Sequence, residues 1–304
     1  AANSVMSQSD TVGLPVAAAP SVKVTDANGN PVAGVAVTFA VTGGGGVIVP
    51  TAPVSTNASG VATLTSWTLG NATGTNTVTA TAAGLTGSPV TFTATAVAGS
   101  AAKLAIVQQP SATAQNAIVL PQQPRVQVQD ALGNTVTGVR SVSVTLVGGG
   151  VLGGTTPVNT DANGLATFSG LIITGTVGGR TLQFASAGLT GATSTSIDLT
   201  AGTATQIALS AGNGQSATAG SAVPIDPAVL VRDVSNNPVA GVAVTFAVTG
   251  GGGTLGAPLV VATNASGIAT VASWTLGTTA GTNTMTATAT GLAGSPVAFT
   301  ATGM

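Results

Sequence analysis

Sixteen residues from Pro31 to Gly46, PVAGVAVTFAVTGGGG, recur unchanged from Pro238 to Gly253. A chain that repeats itself this closely builds the same unit again, and that bounds the fold more tightly than length does. Inside the repeat Val35, Val37, Phe39 and Val41 alternate with Ala36, Thr38, Ala40 and Thr42. A period of two puts one set of side chains into a core and the other towards water, the signature of a half-buried β-strand. Gly43 to Gly46 then have no side chains to pack and reach positive φ cheaply, so a loop must follow.

The repeat extends well beyond those residues. Residues 1–98 and 204–304 align without gaps at an offset of 207, with Asp26 on Asp233, Trp67 on Trp274 and Thr56 to Gly60 on Thr263 to Gly267. Residues 99–203 are a diverged copy. Asp130 to Asn134 stand for Asp26 to Asn30, Gly148 to Gly150 for the glycine loop, and Ala162 to Phe168 for Ala58 to Leu64. Length alone would suggest about two domains. The repeats predict three, at 1–98, 99–203 and 204–304, in the order A, B, A. Each reads as six or seven short strands with frequent turn signals and no helical period, the pattern of an antiparallel sandwich. In the first unit the strands are expected near 11–18, 21–26, 35–42, 52–56, 60–67, 75–82 and 89–97. Outward faces rich in Thr keep such strands wet without charge. The junctions, Val97 to Ala102 and Leu199 to Ala204, are short, which predicts an elongated, semi-rigid rod.

Charge is scarce. Only 4% of residues are charged and the net charge is -1, against roughly 25% charged in ordinary domains. No basic face is available for nucleic acid and no polybasic patch for a membrane surface. The mean hydropathy is +0.54, but the apolar content is broken up by Thr, Ser and Gly, and no run reaches the length of a membrane-spanning helix. There is no Cys, so each unit must stand on its apolar core without disulfides. Ala1-Ala2-Asn3 in place of a start Met fits a processed chain or a segment cut from a longer one.

The inventory of chemically active groups is nearly empty. His, Cys, Glu and Tyr are all absent, which removes the common general bases, most nucleophiles and the usual zinc ligands. Asp10, Asp161, Asp198 and Asp226 sit in unrelated contexts, so no carboxylate pair for glycoside hydrolysis is expected. Asp26-Ala-Asn-Gly-Asn30 imitates the start of a calcium loop. Such a loop also needs a bidentate Glu at its twelfth position, and Val37 stands there; the expected role is a tight turn. Trp67 and Trp274 end alternating strands and are read as core residues, with sugar stacking as the alternative. The glycine runs lack the Lys-Ser/Thr and helix of a phosphate loop. The sequons at Asn57, Asn71 and Asn264 are read as incidental, and Lys23, Lys103, Arg125, Arg140, Arg180 and Arg232 are too scattered for a binding patch. No catalytic, cofactor-binding or metal-binding residue is assigned, and the protein is expected not to be an enzyme.

Four further segments complete a pattern. V-x-V-x-D-x-x-G-N-P-V-A-G-V-x-V-T-F is followed by T-N-A-S-G-x-A, S-W-T-L-G, G-T-N-T-x-T-A-T and G-S-P-V-x-F-T-A-T. Together they resemble the bacterial immunoglobulin-like domain, group 1, of invasin- and intimin-type surface proteins. The likeness covers the first and third units almost completely. The second departs from it, with Thr135 for the turn proline and Leu171 where Trp67 would fall. The resemblance implies immunoglobulin-like β-sandwiches, secretion, and service as a stalk or spacer in cell-surface fibres.

The first unit differs from the others at its start. The third opens with Thr205 to Ser210 and the second with Lys103 to Val107, both credible strands, whereas Ala1 aligns with Ala208 and leaves a short first strand of low hydrophobicity. A missing edge strand exposes backbone groups that another chain's strand can fill. Three functions compete on these grounds. One is a non-enzymatic spacer in a cell-surface adhesin. The second is a secreted subunit that assembles head to tail into a filament, with the edge at residues 1–10 completed by a neighbour. The third, a carbohydrate-binding module, requires Trp67 or Trp274 to be exposed. Expected partners are neighbouring Ig-like domains or further copies, with no nucleic acid and no membrane span.

Overall fold

The computed structural model describes residues 1–304, and every regular element in it is a β-strand. The first unit contains β1 (Ser7–Thr11), β2 (Ser21–Lys23), β3 (Ala36–Gly43), β4 (Val47–Val49), β5 (Val54–Ser55), β6 (Val61–Thr63), β7 (Ser66–Thr68), β8 (Gly74–Thr81) and β9 (Val90–Val97). One sheet has the order β1-β9-β8-β3-β5; the strands facing it pair as β2-β6 and β4-β7. β1 runs parallel to β9, and the remaining pairs are antiparallel. Phe39 and Val37 of β3, Val78 and Ala80 of β8, and Phe92 and Ala94 of β9 meet Val22, Ala62, Leu64 and Trp67 in the core. Thr38 and Ala40, on the other face of β3, are exposed. The alternation in the repeat therefore sets the faces as expected.

Two strand boundaries differ from the sequence reading. The first strand lies at 7–11 instead of 11–18. The run expected at 60–67 divides into β6 and β7, because the chain changes partners between them. Leu64 N–H donates to the Pro20 carbonyl at 3.0 Å and Thr65 N–H to the Val49 carbonyl at 2.8 Å. The alternation slips there by one residue, since Ala62 and Leu64 are buried before Thr65 and Ser66, and Trp67 and Leu69 after them. β4, directly after the glycine run, was not expected at all.

The other units repeat the scheme. The second orders Thr113–Gln115, Ile197–Thr200, Gly178–Ala185, Ser141–Val147 and Val158–Asn159; the third orders Gln215–Ala217, Val297–Gly303, Gly281–Thr288, Ala243–Gly250 and Val260–Ala262. Apolar side chains gather into three separate clusters, one per repeat. The second core is packed differently. Phe39 faces Ala80 across β3 and β8, whereas Val144 faces Phe184 at the matching place. Phe184 stacks on Phe168 with ring centroids 5.2 Å apart, and Leu171 takes the place of Trp67. Volume moves between facing positions, as a close-packed interior demands.

The openings of the units differ. Lys103–Gln108 and Ala204–Ala211 form antiparallel ladders with Arg125–Gln129 and Ala228–Asp233. In the first unit only Ala2 bridges to Val22, with Asn3 N–H on the Ser21 carbonyl at 2.8 Å and Lys23 N–H on the Ala1 carbonyl at 2.9 Å.

Candidate functional site: the joints between units

The residues that matter most lie at the ends of the sandwiches. β3 runs away from the Asp26 turn and ends at the glycine run, so each unit carries an Asp–Asn turn at one end and a glycine-supported loop at the other. In the turn, Asp26 Oδ1 accepts from Asn28 N–H at 2.9 Å and Asn30 N–H at 2.8 Å, and Oδ2 accepts from Asn30 Nδ2 at 3.0 Å. Gly29 takes φ +88°; Asn236, at the same place in the third unit, takes φ +64°. Asn is among the few side chains that tolerate this conformation, so the turn survives the loss of its glycine.

At the far end Asn76 Oδ1 accepts from Gly70 N–H at 2.9 Å, and a Cβ on Gly70 would collide with the Gly44 carbonyl. The glycine run thus ends the strand and lets two backbones touch. It holds the following residues, 71–73, in a fixed loop.

That loop grips the turn of the next unit. Asn134 donates through Nδ2 to the Asn71 carbonyl at 2.9 Å, and its Oδ1 accepts from Thr73 N–H at 3.1 Å. Gly99 N–H, in the junction, donates to Asp130 Oδ2 at 2.9 Å. The second joint repeats the arrangement. Asn237 Nδ2 donates to the Gly175 carbonyl at 2.9 Å, Val177 N–H to Asn237 Oδ1 at 2.9 Å, and Gly202 N–H to Asp233 Oδ2 at 2.8 Å. Here Asn116 adds a bond from its Nδ2 to Asp233 Oδ2 at 2.8 Å and accepts from Gly175 N–H at 2.8 Å. Asp233, Asn237 and Asn116 are buried at 0%, 3% and 1% exposure. A buried carboxylate bonded to this many N–H donors is a charge-assisted clamp, stronger than neutral hydrogen bonds.

The electrostatics follow. For Asp233, burial pushes the carboxyl up, but the Asn237 side chain, Gly202 N–H and Asn116 together pull it below its ordinary value of 3.8. For Asp130, burial is again outweighed, by Gly99 N–H and by Asn134 through backbone and side chain. Asp26, in the open, is lowered first by the Asn30 side chain and then by its backbone N–H, with the Asn28 and Gly29 N–H groups adding to them.

The sequence reading placed Asp26 to Asn30 correctly as a turn but missed that the same turn is a connector. The signal was present, since an Asp and an Asn stand four apart in all three units. Trp67 and Trp274 are both fully buried at 0% exposure. That removes the sugar-stacking reading, which needs an open indole face.

At the Asp26 end of the first unit two features are open within this chain. Asn30 is exposed. Beside its turn lies a groove of about 400 Å³ lined in part by Val22, Val24, Val37, Ala82 and Leu85. Leu104 and Ile207 hold the corresponding place in the other units, paired with Val128 and Val231 and buried at 5% and 3% exposure.

Residues 17–96 match the family model of the bacterial Ig-like domain (group 1). Among solved structures, FdeC, an Escherichia coli adhesin, is similar over 99% of this chain and 96% of its own, at 20% identity and a TM-score of 0.50. Invasin, a bacterial integrin-binding protein, is similar over 97% of this chain and 58% of its own, at 18% identity and a TM-score of 0.41, so the chain spans little more than half of it. The D0-D1 domain of intimin matches 65% of this chain and 95% of its own, at 21% identity and a TM-score of 0.27. No curated protein matches the chain. The first unit thus carries a bacterial Ig-like domain, and the likeness to FdeC extends the tandem Ig-like fold along the chain.

Proposed function

We propose that the chain is a non-catalytic spacer of the bacterial cell surface, made of three Ig-like domains at 1–98, 99–203 and 204–304 and stacked end to end. The observation that carries this reading is the repeated Asp–Asn clamp. A catalytic or ligand-binding protein has no use for a buried carboxylate and amide at each junction, whereas a stalk needs its domains held at fixed angles. The Ig-like domain at 17–96 and the similarity to FdeC, an adhesin, agree with a surface location. Small-angle scattering of the 304-residue chain and negative-stain microscopy test it: the expected particle is a straight rod of three beads with a narrow spread of angles, and a freely bending string would sink the reading.

The groove beside Val24 favours a second reading, a subunit that assembles into a filament by accepting a neighbour's strand. Sedimentation across a concentration series separates the two. Fibres lost on deletion of residues 1–10 would support the filament, and a sedimentation coefficient independent of concentration would support the isolated spacer.

A further inference from the structure

The two joints are built on the same turn but are not braced alike. At the first, the bonds from the second unit's turn into the first unit's loop are both carried by one side chain. Asn134 reaches the Asn71 carbonyl and Thr73 N–H, and both bonds are open to water. Beside them Leu132 lies over Gly13, where a Cβ would come within 3.3 Å of its Cδ1, and stays 50% exposed. Such an apolar contact is non-directional. At the second joint Asn237 makes the matching pair of bonds, now partly buried, and Asn116 makes a separate attachment. Its Nδ2 donates to Asp233 Oδ2 at 2.8 Å, and its Oδ1 accepts from the Ser235 hydroxyl at 3.3 Å. Gly99 and Gly202 make the same bond at both joints and set neither apart.

Asn116 stands there because of an exchange inside the second unit. In the first and third units the loop is held by Asn76 and Asn283, whose Oδ1 atoms accept from Gly70 and Gly277 N–H at 2.9 and 2.8 Å. Arg180 takes that place in the second, as the third residue of Gly178–Ala185 where Asn76 is the third of Gly74–Thr81. A guanidinium has donors only, so it cannot accept a backbone N–H. Buried at 6% exposure, it donates through Nη1 and Nη2 to the Gly179 and Thr176 carbonyls instead. The acceptor has moved to residue 116, whose Oδ1 takes Gly175 N–H at 2.8 Å. Val12 and Ala219 are the equivalents of Asn116, since the three donate their N–H groups to the last strands of their units at Val97, Met304 and Thr200 respectively. Neither has a side chain able to hydrogen-bond across a joint. The displaced amide serves its own loop with its oxygen and has Nδ2 left for the next unit.

We infer that the chain flexes mainly at one place: the first joint is an elbow, and Asn116 is the positioning residue that locks the second and third units into one rigid body. This rests on the stacked-domain reading above. A single attachment that water can replace leaves a unit free to tilt about it, whereas two attachments set apart fix its direction as well. Asp233, Asn237 and Asn116 are all buried, and a hydrogen bond shielded from water is electrostatically stronger and costlier to leave unmade. The spread of angles is therefore smaller at the second joint than at the first, and the first unit swings against a stiff pair.

The chain has no Cys, so single cysteines can carry spin labels in the full chain. Ala83, Ala187 and Thr290 are exposed and occupy the same turn in each unit, which makes the labels' own motion common to all. Ala83→Cys with Ala187→Cys spans the first joint, and Ala187→Cys with Thr290→Cys spans the second. Pulsed electron paramagnetic resonance is expected to give a wider distance distribution across the first. Asn116→Val, which places the first unit's residue in the second, should widen the distribution across the second joint and leave the first unchanged. Residue 187 belongs to both pairs, so a merely loosened second unit would widen both, and that outcome overturns the inference. Narrow and equal distributions in the parent chain overturn it too, as does an Asn116→Val chain whose second joint is unaltered; the stalk reading survives either result. Broad distributions across both joints overturn the stalk reading and the elbow together.

Discussion

A primary amide carries a donor and an acceptor on one rigid plane, which is why Asn suits each joint. Asn237 Nδ2 donates to the Gly175 carbonyl and its Oδ1 accepts from Val177 N–H, so one side chain fixes both the position and the tilt of the next unit. Truncating it as Asn237→Ala leaves those backbone groups and the Asp233 carboxylate short of partners, at a cost of about 1–3 kcal/mol for an unsatisfied buried group; the expected readout is a broader angle distribution in scattering and a lower melting point for the third unit. Asn30→Ala removes the same amide from an exposed turn and should leave melting almost unchanged, as should Asp26→Ala, so a loss comparable to that of Asn237→Ala would disprove the connector role. Metal dependence belongs to this scale as well. Asp233 Oδ1 accepts from Ser235 and Asn237 N–H, and Oδ2 from Gly202 N–H and the amides of Asn116 and Asn237. Calcium would have to displace these donors and still find six or more oxygens, so chelator and added calcium should both leave the melting curve in place. The Asp and Asn were legible in the sequence as turn residues because turn chemistry is local. Their grip on the neighbouring unit was not, because it joins residues about 60 apart.

At the scale of elements, β3 was readable almost to the residue. Its strict alternation reports burial on one face, and the glycines report where the strand must stop. The split between β6 and β7 left a mark that the sequence reading passed over, since Thr65 and Ser66 in succession shift the buried positions by one where the chain changes partners. The repacked second core was half visible: Leu171 announced a missing Trp, but the exchange of large and small residues between Phe39·Ala80 and Val144·Phe184 depends on cross-strand register. Phe246 is 1% exposed at the centre of the third core, and Phe246→Ala should cost about 3–5 kcal/mol, the usual range for an excavated core aromatic, measured by denaturant unfolding. The first unit lacks the ladder that Ala204–Ala211 provides in the third. Its strand β2 is thus paired on one side only, beyond a single bridge. With Trp274→Phe leaving Trp67 as the sole indole, and Trp67→Phe leaving Trp274, fluorescence should show the first unit unfolding at lower denaturant than the third; coincident transitions would mean that the open edge costs the unit nothing.

Over the whole molecule, the scarcity of charge concentrates electrostatic control at two points. Exposed side chains are mostly uncharged, so ionic strength has little to act on, and the carboxylates of Asp130 and Asp233 are the charges built into the joints. Both are held below the ordinary value of 3.8 by N–H donors that favour the ionised form. A depressed carboxyl stabilises the folded arrangement fully above its unfolded value, and that contribution fades as pH falls through the lower folded value. The joints should therefore stay locked from neutral pH down to about 4 and loosen only below that, when a protonated carboxyl can no longer accept from all of its donors. Small-angle scattering down an acid titration reads this as a rod that begins to bend before its sandwiches melt, because the cores contain no titrating group of their own. Asp130→Asn and Asp233→Asn, made together, should give the same bend at neutral pH and abolish its pH dependence. A rod that keeps its stiffness in acid until the cores unfold, or a double variant as straight as the parent, would show that the short junctions alone set the angles and that the clamp contributes nothing to them.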